Sequence, residues 1–339
     1  MKRDIRISTI RMICTLSIVI LHIFQRISGL NSAFHIVTDW LNLGLVMFFC
    51  ISAYLYSNRE IKDKVNWYIH RYTEIVIPSL IVGIITIIVF TLNGTINSSK
   101  IIGCLMSCIG LQVYATNSWM FVQLWFLTYI LFFYLTLPFI QKISCKKTST
   151  IKFWSVMIIS VISSQILSIL IERSIGGITL LSTGILLRLY LPYFVFKRYD
   201  INGNKIKPFI YLCTVISAIS IPIICLLRYT DLIGIPKNIV ELIFIYVQTL
   251  AGFTLFYWLY RFLAFVKNYN IILKFSDKYS YEIYLIHCLF IGYSTSLIFK
   301  FNNIFLGIAV SLLATFISSI IVNYLSGIAK KPFKKLINR

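Results

Sequence analysis

The sequence predicts an all-α, polytopic membrane protein with about ten transmembrane helices and both termini in the cytoplasm. Of its 339 residues, 58% are hydrophobic and 13% are charged, which excludes an ordinary soluble domain. Apolar runs of membrane-spanning length recur along the chain. The basic residues are concentrated in alternate connecting segments, as they are on the cytoplasmic side of membrane proteins.

The charge distribution predicts the topology. The six segments placed inside hold 24 of the 32 Lys and Arg residues, and five more lie outside. Membrane topology therefore explains the net charge of +21, and we expect no nucleic-acid partner. Residues 1–327 are predicted to form the membrane domain, and residues 328–339 a basic cytoplasmic tail that rests on anionic lipid headgroups. The predicted spans are 7–27, 41–57, 75–92, 120–140, 151–171, 178–196, 208–227, 239–260, 281–299 and 304–326.

The lengths of the loops restrict where a reaction can take place, and the positions of the cysteines bear on disulfides and metal sites. The largest outer loop, about 93–119, is too short for a globular domain, and its apolar stretch 101–113 is predicted to lie along the membrane or to dip into it. Any reaction must therefore take place within the helix bundle. The eight cysteines are scattered, mostly in apolar runs, and are interpreted as small core residues, so we expect neither a disulfide framework nor a metal site.

The first apolar run, Ile5 to Phe24, carries Arg11 and His22. Eleven helical residues turn the chain by roughly three full turns plus 20°, so both side chains share one face about 16 Å apart. Ionisable groups within a spanning helix usually face the bundle interior and mark a functional path. The alternative is that Arg11 extends to the cytoplasmic surface and His22 hydrogen-bonds a neighbouring helix.

Five stretches of the sequence form a recognisable series. In order they are RMICTLSIVILH, with ten residues between Arg11 and His22, GLVMFFCISAYL (44–55), WYIHRYTEIVIP (67–78), WFLTYILFFYLTLP (125–138) and SDKYSYEIYLIH (276–287). Together they resemble the acyltransferase-3 family of membrane acyltransferases. The chain departs from the family pattern at Val46, Ala53, Glu74 and Glu282. Glu74 stands where a second Arg often follows Arg71.

The resemblance implies a multi-pass protein of the plasma (inner) membrane that moves an acyl group, most often acetyl, from cytoplasmic acyl-CoA to a hydroxyl outside. The acceptor is then a cell-surface saccharide or a lipid-linked sugar, and no metal is expected. Acyl transfer needs a base for the hydroxyl proton, and imidazole titrates nearest neutral pH, so His22 is the candidate base. Arg11 is the second catalytic candidate and can bind CoA phosphates through its guanidinium group.

Further candidates are weaker when each is taken alone. Arg71 and His287 are assigned to acyl-CoA binding, although positive-inside charge and a core histidine are the competing explanations. His35 and Asp39 lie where an acceptor arrives, and Ser280 shares a helix face with His287. Trp125 is a substrate-contact candidate, although packing or anchoring at the membrane interface explains it better. Two more polar residues, Arg188 and Glu241, are expected to pair with each other.

Several alternatives stay open at the level of sequence. A transporter or flippase of a lipid or glycan would use Arg11, His22 and His287 to line a path. A glycan polymerase commonly has a large outer loop, which this chain lacks, and a structural scaffold would not need Arg11 and His22. Direct transfer and a two-step route through an enzyme nucleophile are both compatible with the residues, and the sequence leaves the homodimer question open.

Overall fold

The computed structural model describes residues 4–27, 33–111, 123–144, 149–175, 183–229, 235–266 and 270–333. Over these ranges the chain is all-helical and contains no strand, which confirms the prediction of an all-α protein. The described residues form twelve α-helices: α1 (Ile5–Ile27), α2 (Ala33–Leu41), α3 (Leu43–Ser57), α4 (Lys64–Leu92), α5 (Ser98–Cys108), α6 (Trp125–Ile143), α7 (Thr150–Ile175), α8 (Thr183–Arg198), α9 (Lys207–Tyr229), α10 (Lys237–Phe262), α11 (Ile271–Ile291) and α12 (Ile304–Ala329).

Seven stretches of the described residues are helical, long and apolar enough to cross a membrane. They correspond to α1, to α2 with α3, and to α4, α6, α9, α10 and α12. Because several such helices occur in one chain, the protein is a multi-pass membrane protein. The predicted spans at 151–171, 178–196 and 281–299 fall on α7, α8 and α11, which are not among the seven.

Two helix boundaries differ from the sequence prediction. Helix α4 begins at Lys64 rather than at residue 75, because Asp63 caps it by accepting a hydrogen bond from the main-chain N–H of Asn66 (3.1 Å). Arg71 therefore lies on a helix and not on a loop. Helix α11 occupies Ile271–Ile291 rather than 281–299, so the charged residues that precede residue 281 belong to its first turns.

The chain divides into two compact units. In the first, α3 packs against α1, α8 and α10, and α10 packs against α9. A side chain at Gly252 of α10 would place its Cβ 2.5 Å from the Cβ of Val46 on α3, so the glycine permits a close approach of these helices. The first unit comprises Met1–Arg59, Ser144–Val161 and Ser182–Asp277, and the second Glu60–Ile143, Ile162–Leu181 and Lys278–Arg339.

The second unit is organised around α4, which packs against α5, α6 and α12. Gly83 of α4 lies directly against the buried Cys108 of α5. Most of the apolar stretch predicted at 101–113 thus belongs to α5, and residues 112 and 113 lie outside the described residues. The seven cysteines in the described part of the chain are free thiols, and six of them are buried, whereas Cys145 lies outside it.

Candidate active site

Arg11 and His22 lie on the same uninterrupted helix, α1. Helical geometry separates them by about 16 Å and places them on one face. Arg11 is in the second turn, near the predicted cytoplasmic end, and His22 is near the opposite end. The half-buried imidazole of His22 hydrogen-bonds to the side chain of Gln25, one turn further along. The helix therefore presents a cation and an imidazole at different depths.

A buried carboxylate holds Arg11. The Nη1 atom of Arg11 lies 2.6 Å from Oδ1 of Asp277, and the hydroxyl of Ser8 donates a hydrogen bond of 2.8 Å to Oδ2. The side chain of Asp277 is 0% exposed, whereas that of Arg11 is 25% exposed. The sequence did not predict a role for Asp277, because residue 277 precedes the span predicted at 281–299.

Asp39, a predicted acceptor contact, lies on α2 and is engaged by residues of α9 and α10. Its Oδ2 accepts a hydrogen bond from the hydroxyl of Tyr229 and lies 3.4 Å from Nε of Arg228. Its main-chain oxygen accepts a hydrogen bond of 2.6 Å from Nε2 of Gln248. His35 belongs to the same helix, but its side chain lies outside the described residues. Asp39 therefore belongs to a polar network in the first unit.

Arg188 joins that network rather than pairing with Glu241. Its guanidinium group is buried and donates hydrogen bonds to Oε1 of Gln248 (2.9 Å) and to the hydroxyl of Thr249 (3.3 Å). Glu241 instead forms its ion pair with Arg228 (3.3 Å). The predicted Arg188–Glu241 pair is therefore wrong, because the side-chain amide of Gln248, two turns after Glu241 on α10, supplies the acceptor that a buried guanidinium needs.

His287 is fully buried on α11, in the second unit. Its Nδ1 lies 3.1 Å from the carbonyl oxygen of Ile283, and its Nε2 lies 3.3 Å from Sγ of Cys288. A carbonyl oxygen can only accept, so Nδ1 carries a proton, and in the neutral imidazole Nε2 would accept a hydrogen bond from the thiol. Ser280 is also buried and lies two turns earlier on the same helix, as predicted.

Trp125 and Tyr284 have packing roles in the second unit. The ring of Trp125, at the start of α6, packs edge to face on Tyr129 with centroids 5.6 Å apart. Tyr284 donates its hydroxyl to the main-chain oxygen of Gln123, and the hydroxyl of Tyr293 donates to the Gln123 side chain. Gln123 and Tyr293 were not predicted. The sequence signal for Gln123 is its position as a single polar residue just before an apolar run.

Arg71 lies two turns into α4 and is half-buried. One turn earlier on this helix, the ring of Trp67 packs edge to face against Tyr68 and Tyr134. Arg71 thus has an aromatic cluster one helical turn away, which is an arrangement suited to a phosphate beside an adenine ring. In the second unit the structure describes Arg71, Trp125, Ser280 and His287, and in the first it joins Arg11 to Asp277.

The comparisons with known proteins agree with this architecture. The model of the acyltransferase-3 family, described as an acyltransferase domain, matches residues 4–324, which is nearly the whole chain. No curated protein and no solved structure matches the chain. A family match of this extent includes Arg11, His22 and α11. The chain is a membrane acyltransferase that belongs to the acyltransferase-3 family.

Proposed function

We propose that this protein transfers an acetyl group from cytoplasmic acetyl-CoA to a hydroxyl of a cell-surface saccharide or lipid-linked sugar. The observation that carries the proposal is the pairing of Arg11 and His22 on one face of α1, in a chain of this family. Acetyl is the acyl group that the resemblance favours, and the donor side follows from the position of Arg11 near the predicted cytoplasmic end.

In this proposal Arg11 binds the phosphates of the donor. Its guanidinium group offers five N–H donors in a planar fork, of which Asp277 engages one. A bidentate contact with a phosphate needs two of the remaining N–H donors. Because Arg11 lies only about 9 Å from the start of α1, the phosphates can reach it without crossing the hydrocarbon region. Arg71 is proposed as a second phosphate ligand, and His287 as a further acyl-CoA contact.

His22 is proposed as the general base. The acceptor oxygen attacks the thioester carbonyl carbon as its proton moves to the His22 imidazole, the carbon–sulfur bond breaks, and the proton passes to the sulfur of CoA. The hydrogen bond to Gln25 fixes the orientation of the ring. General-base catalysis of this kind contributes roughly 10²- to 10⁴-fold in rate. His35 and Asp39 are proposed as acceptor contacts, and Trp125 and Ser280 are each proposed as substrate contacts.

The proposed topology has ten spans in the plasma (inner) membrane. Both termini lie in the cytoplasm, and the outer loops face the cell envelope. Besides the seven long apolar helices, α7, α8 and α11 cross the membrane in this scheme. The asymmetric distribution of Lys and Arg supports this count, because one span fewer would place basic segments outside. Thiol labelling of single cysteines introduced at Lys62 and Lys300 tests it. The scheme predicts inside access at Lys62 and outside access at Lys300.

Acetyl-CoA binding by the purified protein separates an enzyme from a flippase, which has no reason to bind the donor. Titration calorimetry in detergent would compare the wild type with Arg11→Ala and His22→Ala, and Arg261→Ala would serve as the matched cation control. We expect Arg11→Ala to weaken binding by roughly tenfold or more and the other two variants to bind as the wild type does. A folded wild type that binds no acyl-CoA of any chain length would favour the flippase.

A further inference from the structure

We propose that Asp277 is a positioning residue for donor binding, because its buried carboxylate fixes the guanidinium group of Arg11 in the orientation that receives a CoA phosphate. This inference deepens the proposed function and rests on it. Asp277 itself is not expected to touch the donor, since its side chain is 0% exposed. It acts through Arg11, whose side chain keeps 25% of its surface exposed.

The contact geometry restricts both partners. One carboxylate oxygen of Asp277 lies 2.6 Å from Nη1 of Arg11, and the other accepts the Ser8 hydroxyl at 2.8 Å. Ser8 and Arg11 are three residues apart on α1 and therefore lie on the same helix face. A carboxylate held at both oxygens cannot rotate without losing one contact, and the bonded guanidinium is planar. The contact therefore anchors one nitrogen of the Arg11 guanidinium and restricts the directions in which its other N–H groups can point.

A buried carboxylate is costly unless it is paired and hydrogen-bonded. Arg11 supplies the opposite charge and Ser8 a hydrogen bond to Asp277, so the ion pair favours one conformation of the long Arg11 side chain. An arginine without such a partner loses the rotamer entropy of its long side chain when it binds a ligand. Holding the side chain in advance removes much of that cost, which is the usual benefit of pre-organisation.

The test uses two donors that differ in their phosphates. Acetyl-CoA carries them, whereas acetyl-pantetheine offers the same thioester without any phosphate. Asp277→Asn keeps the shape of the side chain and removes its charge. We expect it to raise the KM for acetyl-CoA by roughly tenfold, with kcat and the KM for acetyl-pantetheine changing less than about twofold. Ser8→Ala should shift the same KM in the same direction by a smaller factor.

The Arg11→Ala background supplies the control. If Asp277 acts through Arg11, adding Asp277→Asn there leaves the affinity for acetyl-CoA unchanged within about twofold. Thermal unfolding of each variant verifies that the proteins compared are folded. Should Asp277→Asn misfold, Ser8→Ala decides the question by the same ratio of the two KM values.

The outcomes separate the inference from the function on which it rests. A wild type that neither binds nor cleaves acetyl-CoA overturns both. Arg11-dependent acetyl-CoA binding that Asp277→Asn leaves intact or tightens overturns the inference alone. An equal rise of the KM for both donors also overturns it, because a merely structural residue would impair the two donors alike.

Discussion

The ammonium group of Lys330 lies 2.7 Å from Oε2 of Glu74 and ties the residue after α12 to helix α4. Glu74 stands where the acyltransferase-3 pattern often has a second Arg. In this chain the acid has a cationic partner close in space but 256 residues away in sequence. Glu74, the residue that departs from the family pattern, therefore forms an ion pair within the second unit.

We expect this ion pair to contribute to stability by about 1 kcal/mol, since both groups are partly shielded and the Glu74 side chain is 35% exposed. A double-mutant cycle with Glu74→Ala and Lys330→Ala, followed by thermal unfolding in detergent, measures the coupling. The double variant should be about as stable as either single variant. Strictly additive losses would show that the two groups do not interact.

Two glycines of α12 should respond oppositely to alanine. A Cβ at Gly307 would overlap the main-chain carbonyl oxygen of Ile298, whereas a Cβ at Gly327 meets nothing within 4 Å. We expect Gly307→Ala to destabilise the protein by about 1–3 kcal/mol, because backbone must shift. Gly327→Ala should be neutral or stabilising by up to about 1 kcal/mol, because alanine favours a helix. Equal unfolding midpoints for the two variants would contradict the packing of α12.

The contact between His287 and Cys288 bears on direct versus two-step transfer. Reactive cysteine thiols are partly exposed, because the donor must reach the sulfur, whereas Cys288 is buried. We therefore expect direct transfer, with no acetyl group carried on Cys288. Incubation with radiolabelled acetyl-CoA should leave no hydroxylamine-sensitive label on the protein. Label that disappears in Cys288→Ala but persists in the buried control Cys213→Ala would establish the two-step route.

Asp4, just before α1, should make stability depend on pH. Burial alone would raise the pKa of Asp4, but hydrogen bonds from Arg6 and Tyr260 outweigh burial and hold it below its usual value. A lowered pKa means that Asp4 stabilises the fold above about pH 4 and that this contribution is lost as the pH falls through the folded-state pKa. The unfolding midpoint of Asp4→Asn should lie below that of the wild type at pH 7, and the gap should close at pH values below the folded-state pKa. A gap that is independent of pH would refute this assignment.

The sequence predicted the features that depend on local pattern. Hydrophobic runs located α1, α9, α10 and α12 to within a few residues, and helical periodicity placed Arg11 and His22 on one face. The reliance on local pattern also explains why the sequence did not predict where α4 and α11 begin. Charged residues in their first turns resemble a cytoplasmic loop, and the cap at Asp63 carries less signal than the apolar run that follows it.

Partners across the fold could not be predicted. Asp277 and Arg11 are 266 residues apart in the sequence, and Gln248 and Arg188 are 60 residues apart. No local spacing therefore links either pair. A single sequence shows which buried charges need partners but not which partners they find. Opposite charge alone predicted that Arg188 pairs with Glu241. The structure satisfied the guanidinium with a neutral amide instead.

Release of free CoA from acetyl-CoA by the purified protein tests the central claim most directly. The thiol is followed by colorimetry for the wild type, Arg11→Ala, His22→Ala and the matched histidine control His70→Gln. We predict release by the wild type and the control, a rate at least about 100-fold lower for His22→Ala at saturating donor, and a raised KM for Arg11→Ala. Wild-type rates in His22→Ala, or no thiol release by a folded wild type that binds acetyl-CoA, would contradict the account.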